Sequence, residues 1–337
     1  MDSFITYDNR EIKFVKGWYE SKNSWPFGIT KFDEFVDKCI VNPARFDISN
    51  NFFLNKLVVF NYFKNVIEEC NLTLKWNNVL DIGTGPGIHP RFIRSAGMCN
   101  KAFGIDIVNR DIGDKLFNDY VGSKIKDDSK RSIIDTQTVF TSYYPISFPT
   151  NKSESDILYI ESDFMEYKFD VKFDCITALM CAEYFDPDVL FDKIYSLLDS
   201  NGIFFMIVDN WYELYGGSMH LPVDAPWLHA RVTKDDLIRY YREVHPEIAK
   251  TASNAIYFAR SHMTPIDYNN IAKGSGLTPI TYRRSFNGLI GENSYNLSSF
   301  VDNYIPEIES DIKSVNVNAC MSDLYTYYLT MIFRKDN

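Results

Sequence analysis

Residues 79–87 run Val-Leu-Asp-Ile-Gly-Thr-Gly-Pro-Gly, a short apolar run that breaks into alternating glycines. The apolar run suits a strand buried on both faces of a parallel sheet. Glycines at alternate positions let the backbone turn tightly and let a ligand approach it without side-chain interference. Such a loop, where a buried strand gives way to a helix, is where an open α/β sheet binds its ligand. A dinucleotide fingerprint counted from Gly83 and Gly85 requires glycine or alanine at position 88, and Ile88 stands there. The segment therefore reads as D-x-G-x-G-x-G, beginning at Asp81.

Outward from this loop, apolar runs alternate with helical patterns, the signature of a parallel sheet wrapped by helices. Strands are expected at 79–82, 102–107, 157–160, 173–179 and 203–208, with two more at 278–285 and 325–333. Asp186-Pro187 supplies a cap and a first-turn proline for a helix carrying Leu190, Ile194, Leu197 and Leu198. Thr233 to Asp236 and Thr264 to Asp267 have the spacing of capping boxes, the second opening a helix that stops at Gly274 or Gly276. Thr30 to Asp33 repeats that spacing, and residues 52–69 are dense in apolar side chains without alternation, so residues 1–75 are expected to be a mainly helical layer. The expected fold is α/β, a doubly wound, mostly parallel seven-stranded sheet. Its core would span 76–209 with an insertion at 108–156, followed by a cap insertion at 210–262 and the last helix and strands at 263–337.

Composition limits the function. An apolar fraction of 45% supports a substantial core, while 35 basic against 45 acidic residues leave a net charge of −10. That field repels phosphate backbones and anionic membranes, so neither a nucleic-acid nor a membrane partner is expected. The six cysteines form no C-x-x-C pair, which fits reduced, mostly buried thiols. No signal-peptide pattern or long apolar stretch is present, and a cytoplasmic protein is expected. Nothing in the sequence sets the oligomeric state.

The D-x-G-x-G-x-G form resembles motif I of the seven-stranded, Rossmann-like class I S-adenosylmethionine-dependent methyltransferases. The resemblance extends to Phe103-Gly104-Ile105-Asp106, similar to that family's second-strand ending, and to Glu161-Ser162-Asp163-Phe164, similar to its adenine-contacting segment. It also takes in Phe173 to Ile176 with Met180 to Tyr184, and the turn 197–202. It implies S-adenosyl-L-methionine as cofactor, held at Asp81, Gly83, Thr84, Gly85 and Gly87, with Asp106 taking the ribose hydroxyls and Ile107 beside it. It further implies that Asp163 takes the adenine amine, that Phe164 covers the ring, and that Met180 faces the methionine moiety.

The acceptor is less legible. Gly217 to His220, followed by Pro226-Trp227-Leu228-His229, is similar to a segment of bacterial methyltransferases associated with glycans and natural products. A small molecule or sugar, methylated on oxygen or nitrogen, is the expected acceptor, with a protein or peptide acceptor or a non-catalytic binding protein as alternatives. His220 and His229 are the candidate general bases, ahead of His245 and His262, and Glu183 or Tyr184 are further candidates to meet the substrate. His89 is expected to cap or pack. Asp209-Asn210 resembles the Asp-Asn ligand pair of metal-dependent catechol-type members, but no carboxylate stands at 177–180 to complete the set, and no metal is expected.

Overall fold

The computed structural model describes residues 2–15, 50–85, 87–107, 157–213, 223–258, 262–286 and 305–336. The insertion expected at 108–156, the helix expected after Thr30 and His220 lie outside them. Within them, β1 (Ser3–Ile5) and β2 (Glu11–Lys13) pair as a small antiparallel hairpin. The chain then runs through α1 (Asn50–Glu69), β3 (Trp76–Ile82), α2 (Ile88–Ser95), β4 (Cys99–Asp106), β5 (Ile157–Glu161), β6 (Phe173–Leu179), α3 (Pro187–Leu197) and β7 (Leu198–Asp209). Three helices follow, α4 (Leu228–Arg231), α5 (Lys234–Val244) and α6 (Ala249–Phe258), and then α7 (Pro265–Gly274) and β8 (Leu277–Phe286). Helices α8 (Ile305–Val315) and α9 (Met321–Leu324) lead to the last strand, β9 (Thr326–Lys335).

Strands β3 to β9 form one seven-stranded sheet in the order β5-β4-β3-β6-β7-β9-β8. All neighbours are parallel except where β9 runs antiparallel between β7 and β8. The sheet is doubly wound. On one face, Phe60, Phe63 and Ile67 of α1 and Phe92 of α2 pack on Val79, Cys175 and Phe205. On the other, Leu190, Phe191 and Ile194 of α3 and Tyr268 of α7 pack on Leu80, Ile176 and Phe204. Each such large apolar side chain contributes about 1.5–3 kcal/mol when fully buried. The strand order reverses direction between β3 and β6, so the glycine loop after β3 opens at the switch point.

Two caps follow their sequence signals. The Asp186 side chain accepts from the Val189 amide with Pro187 in the first turn, and Thr264 and Asp267 complete a reciprocal capping box. The third signal splits. Thr233 does cap α5, accepting from the Asp236 amide, but the Asp236 carboxylate accepts from the Tyr7 amide at 2.8 Å, tying the hairpin to the helix start.

The beginning of the chain is not helical throughout. The hairpin joins a second hydrophobic cluster, in which Phe4 and Ile12 pack with Trp211, Tyr212, Tyr240 and Tyr241 and with Ile308 and Ile312 of α8. This cap is thus assembled from three chain segments, not only from the residues after β7. At its centre Arg231, 1% exposed, donates from Nε to Asp311 at 2.8 Å and from Nη2 to Glu307 at 2.6 Å. Arg10 of the hairpin turn adds bonds to the Arg231 carbonyl at 2.9 Å and to Asp311 at 3.0 Å.

Candidate functional site

The site lies at the carboxyl ends of β3, β4 and β6. Gly83, Gly85 and Gly87 all have positive φ, at 62°, 53° and 71°. A Cβ at Gly83 would stand 2.7 Å from the Cys181 side chain. A Cβ at Gly87 would stand 2.2 Å from the Tyr159 ring, whose hydroxyl donates to the Gly87 carbonyl at 2.8 Å. A Cβ at Gly85 would meet nothing within 4 Å, so there the loop borders open space, a cradle into which a ligand can be set against bare backbone.

The Gly85 amide donates to the Asp106 carboxylate at 2.6 Å. The Asp106 carbonyl accepts from the Ser162 amide at 2.8 Å, which brings the ends of β4 and β5 together. Asp163 lies exposed in the adjoining turn, with Oδ1 accepting from the Met165 amide at 2.7 Å. Ile107, immediately after β4, is 71% exposed. The loop, Asp106, Ile107 and Asp163 therefore form one continuous edge. Thr84 is buried, with its hydroxyl oxygen lacking a hydrogen-bond partner and its side chain against Gly104.

Asp81 points back into the sheet, where the Thr177 hydroxyl donates to it at 2.6 Å. The chain beyond β6 is shaped by Met180, a non-glycine residue at φ 58°, whose amide donates to the Ile207 carbonyl at 2.7 Å. A left-handed non-glycine residue costs of order 1 kcal/mol and persists where the surroundings over-determine it, often beside a functional site. Cys181 then rests on the glycine loop, its thiol donating to the Ile82 carbonyl at 3.1 Å.

Two expected site residues, and the Asn210 of the Asp-Asn pair for which no metal was expected, have partners elsewhere in the fold. Phe164 is 3% exposed and packs in the core against Phe169 and Phe185, with Lys193 over its ring, so it is a core residue and not a cover for a ligand ring. His229 is also 3% exposed; its Nε2 bonds the Glu213 carbonyl at 2.9 Å and its ring lies edge-on to Trp211. A ring nitrogen facing a carbonyl must carry a proton, so Nε2 of His229 bridges segments of the cap and only Nδ1 is left with a lone pair. Asn210 donates to the carbonyls of Asp323 and Thr326 at 2.6 and 2.7 Å. Its Nδ2 holds the end of β7 to the segment before β9, while its Oδ1 accepts from the Tyr212 amide at 3.3 Å.

The lower-ranked histidines also have places. His245 bonds Asp224 at 2.6 Å within the cap, and His262 stacks on Trp211. His89 packs edge-on to Phe60 and Phe63, and burial, with the Lys56 charge nearby, holds its imidazole down at about 3, hence neutral.

A cluster that the sequence reading only touched completes the site. Lys56 of α1 lies within electrostatic reach of Asp81, Cys181 and Asp209. Burial lowers its ammonium, and these neighbours, Asp81 foremost, oppose the shift. Asp209, at the end of β7, is raised to about 7 by burial, with Lys56 opposing. Glu183, in the 3₁₀ turn Ala182–Tyr184 after β6, is 3% exposed, and among the described residues its carboxylate oxygens have no hydrogen-bond partner beyond its own backbone amide. Burial first, and then the Asp209 charge, push Glu183 well above the usual carboxylate range. A cleft of about 250 Å³ lined by Lys75, Asn77, Gly97, Asn100 and Asp174 opens at the opposite, amino-terminal edge of the sheet. Open α/β sheets bind ligands at the other edge, where this cluster stands.

Comparison with known proteins agrees with the geometry. Residues 59–245, more than half of the chain, match the model of a methyltransferase domain. No curated protein sequence matches this chain. Among solved structures, one similar chain comes from Galdieria sulphuraria, with a provisional designation as a sarcosine dimethylglycine methyltransferase. It is 12% identical, with 82% of this chain and 85% of that one covered, at a TM-score of 0.44. The N-methyltransferase NodS from Bradyrhizobium japonicum WM9 is 10% identical over 82% of this chain and 97% of its own, at 0.38. An S-adenosylmethionine-dependent methyltransferase from Mesorhizobium loti is 12% identical over 81% and 97%, at 0.42. With the family model spanning the glycine loop, Asp106 and the strands on both sides of the switch point, the chain belongs to the methyltransferase-domain family, as an S-adenosylmethionine-dependent enzyme.

Proposed function

We propose that this enzyme methylates an oxygen or nitrogen of a small molecule or sugar, with the edge from Gly83 to Asp163 holding the cofactor. The observation that carries the reading is the 2.6 Å hydrogen bond from the Gly85 amide to Asp106, beside a glycine whose missing side chain leaves open space. Bound S-adenosylmethionine supplies an activated methyl group on a sulfonium sulfur. Around it, the backbone of Gly83, Thr84, Gly85 and Gly87 would lie against the cofactor, with Asp81 behind them steadying the strand end through Thr177. The Asp106 carboxylate is suited to accept from two ribose hydroxyls, because an ionised carboxylate has lone pairs for several donors. Asp163 would accept from the adenine amine, the exposed Ile107 would cover the base, and Met180 would border the methionine moiety.

The cap supports a small acceptor. It rises directly from the end of β7, through Asn210, and is rich in buried aromatic side chains. An insertion at the carboxyl end of β7 stands where open α/β sheets bind small ligands. The net charge of −10 argues against nucleic acid as acceptor. Among the described residues no helix is long and apolar enough to cross a membrane. Methyl transfer asks the protein chiefly to align a nucleophile and take its proton.

The enzyme incubated with methyl-labelled S-adenosylmethionine and a bacterial extract, split by size into metabolite and protein fractions, tests this reading. Label is expected in a new low-mass compound, separated chromatographically from S-adenosylmethionine and absent without enzyme. Label confined to protein would replace the small acceptor with a peptide, and absence of label from both fractions would favour a binding protein.

A further inference from the structure

We propose that Glu183 is the group that meets the methyl acceptor and takes its proton, with Asp209 behind it, so that the acceptor is a neutral or cationic O–H or N–H compound and not an anion. The inference rests on the cofactor site proposed above and assigns what faces it. Glu183 is nine-tenths buried and more, yet among the described residues its oxygens find no hydrogen-bond partner beyond its own backbone amide. Leaving a buried carboxylate unsatisfied costs several kcal/mol in general, a cost that a bound donor removes.

Its position is equally specific. The 3₁₀ turn carrying Glu183 follows Cys181, which touches Gly83 of the glycine loop. Asp209 ends the neighbouring strand β7. Other titratable groups within electrostatic reach of this corner include Lys56 from α1, Asp81 from β3, the Cys181 thiol and Tyr328 from β9. Two carboxylates that influence one another, with a lysine in reach of Asp209, can hold one proton between them and exchange it. An anionic acceptor would be repelled here, whereas a hydroxyl or an ammonium presents the donor that Glu183 lacks.

The reaction balances with these groups alone. A lone pair on the acceptor oxygen or nitrogen forms the bond to the methyl carbon while the carbon–sulfur pair returns to sulfur, giving the neutral thioether. The proton released from the acceptor passes to the Glu183 carboxylate.

A test that needs no acceptor compares S-adenosylhomocysteine with sinefungin, in which an amine-bearing carbon replaces the methylsulfonium. Both are titrated calorimetrically at pH 8 into wild type, Glu183→Gln and Asp209→Asn. Wild type is expected to bind sinefungin at least tenfold more tightly than S-adenosylhomocysteine. Glu183→Gln is expected to lose that preference with S-adenosylhomocysteine affinity held within twofold, and Asp209→Asn to reduce it about threefold. Equal affinities in wild type, or a preference that survives in Glu183→Gln, would overturn the assignment. If Glu183→Gln does not fold, the wild-type ratio and Asp209→Asn decide. Failure of wild type to bind S-adenosylhomocysteine would overturn the cofactor site itself, a result distinct from the loss of amine preference.

Discussion

Asp106→Ala is expected to weaken binding of S-adenosylhomocysteine about 100-fold while leaving the protein folded. An ionised carboxylate accepting from two ribose hydroxyls makes two charge-assisted hydrogen bonds, each worth about 1.5–3 kcal/mol. Asp106 is half-buried and water competes, so roughly 3 kcal/mol for the pair is a reasonable net, or about a hundredfold in affinity. The same substitution frees the Gly85 amide, which sits at the edge of open space where water can satisfy it, so thermal stability should fall by only about 1 kcal/mol. Asp106→Asn, which keeps the shape and one acceptor, should lose less. Calorimetric affinities for the two variants check this, and an Asp106→Ala affinity within threefold of wild type would remove Asp106 from the cofactor site.

The largest stability effect is expected at the centre of the cap. Arg231→Met should destabilise the protein by about 3–5 kcal/mol, the range for breaking a buried ion pair by removing one partner. Arg231 is 1% exposed and donates to both Asp311 and Glu307. Asp311 would keep Arg10 at 3.0 Å, which sets the expectation toward the lower end. The double variant Arg231→Met with Asp311→Leu should recover most of the loss, since the uncompensated charge is then gone. Urea unfolding of the single and double variants measures both effects. A single-variant loss below about 1 kcal/mol would show that the network is solvated and peripheral to the cap.

Much of the core was legible because its physical causes are local. Phe173–Leu179 and the strand from Ile157 are short apolar runs bounded by polar residues, and β3 ends in glycines that only a tight turn requires. The hairpin was not legible for the same reason. Each of its strands has three residues with a single buried side chain, Phe4 or Ile12, too few to show a period. What holds it is distant in sequence, the Asp236 carboxylate on the Tyr7 amide and Arg10 on Asp311.

The candidate site divided along a similar line. Asp106 follows a motif and was readable, and the structure brings it to Gly85. His229 was legible only as a candidate, because which of its ring nitrogens is engaged, here Nε2 at 2.9 Å from the Glu213 carbonyl, depends on a fold partner that no motif announces. Phe164 follows an acidic residue as expected, but its neighbours Phe169 and Phe185 claim the ring. Lys56 left a signal that went unused: it is the one cation in register with Phe60, Phe63 and Ile67 on the buried stripe of α1. A charge on an apolar helical stripe is costly unless it meets anions, and here Asp81 and Asp209 are within reach.

The central claim, that the loop at the switch point binds S-adenosylmethionine and not a dinucleotide, is tested most directly by titrating the wild-type protein with S-adenosylhomocysteine and with NAD side by side in a calorimeter. Saturable one-to-one binding of S-adenosylhomocysteine with no heat from NAD is the expected result. Binding of NAD with none of S-adenosylhomocysteine would contradict it.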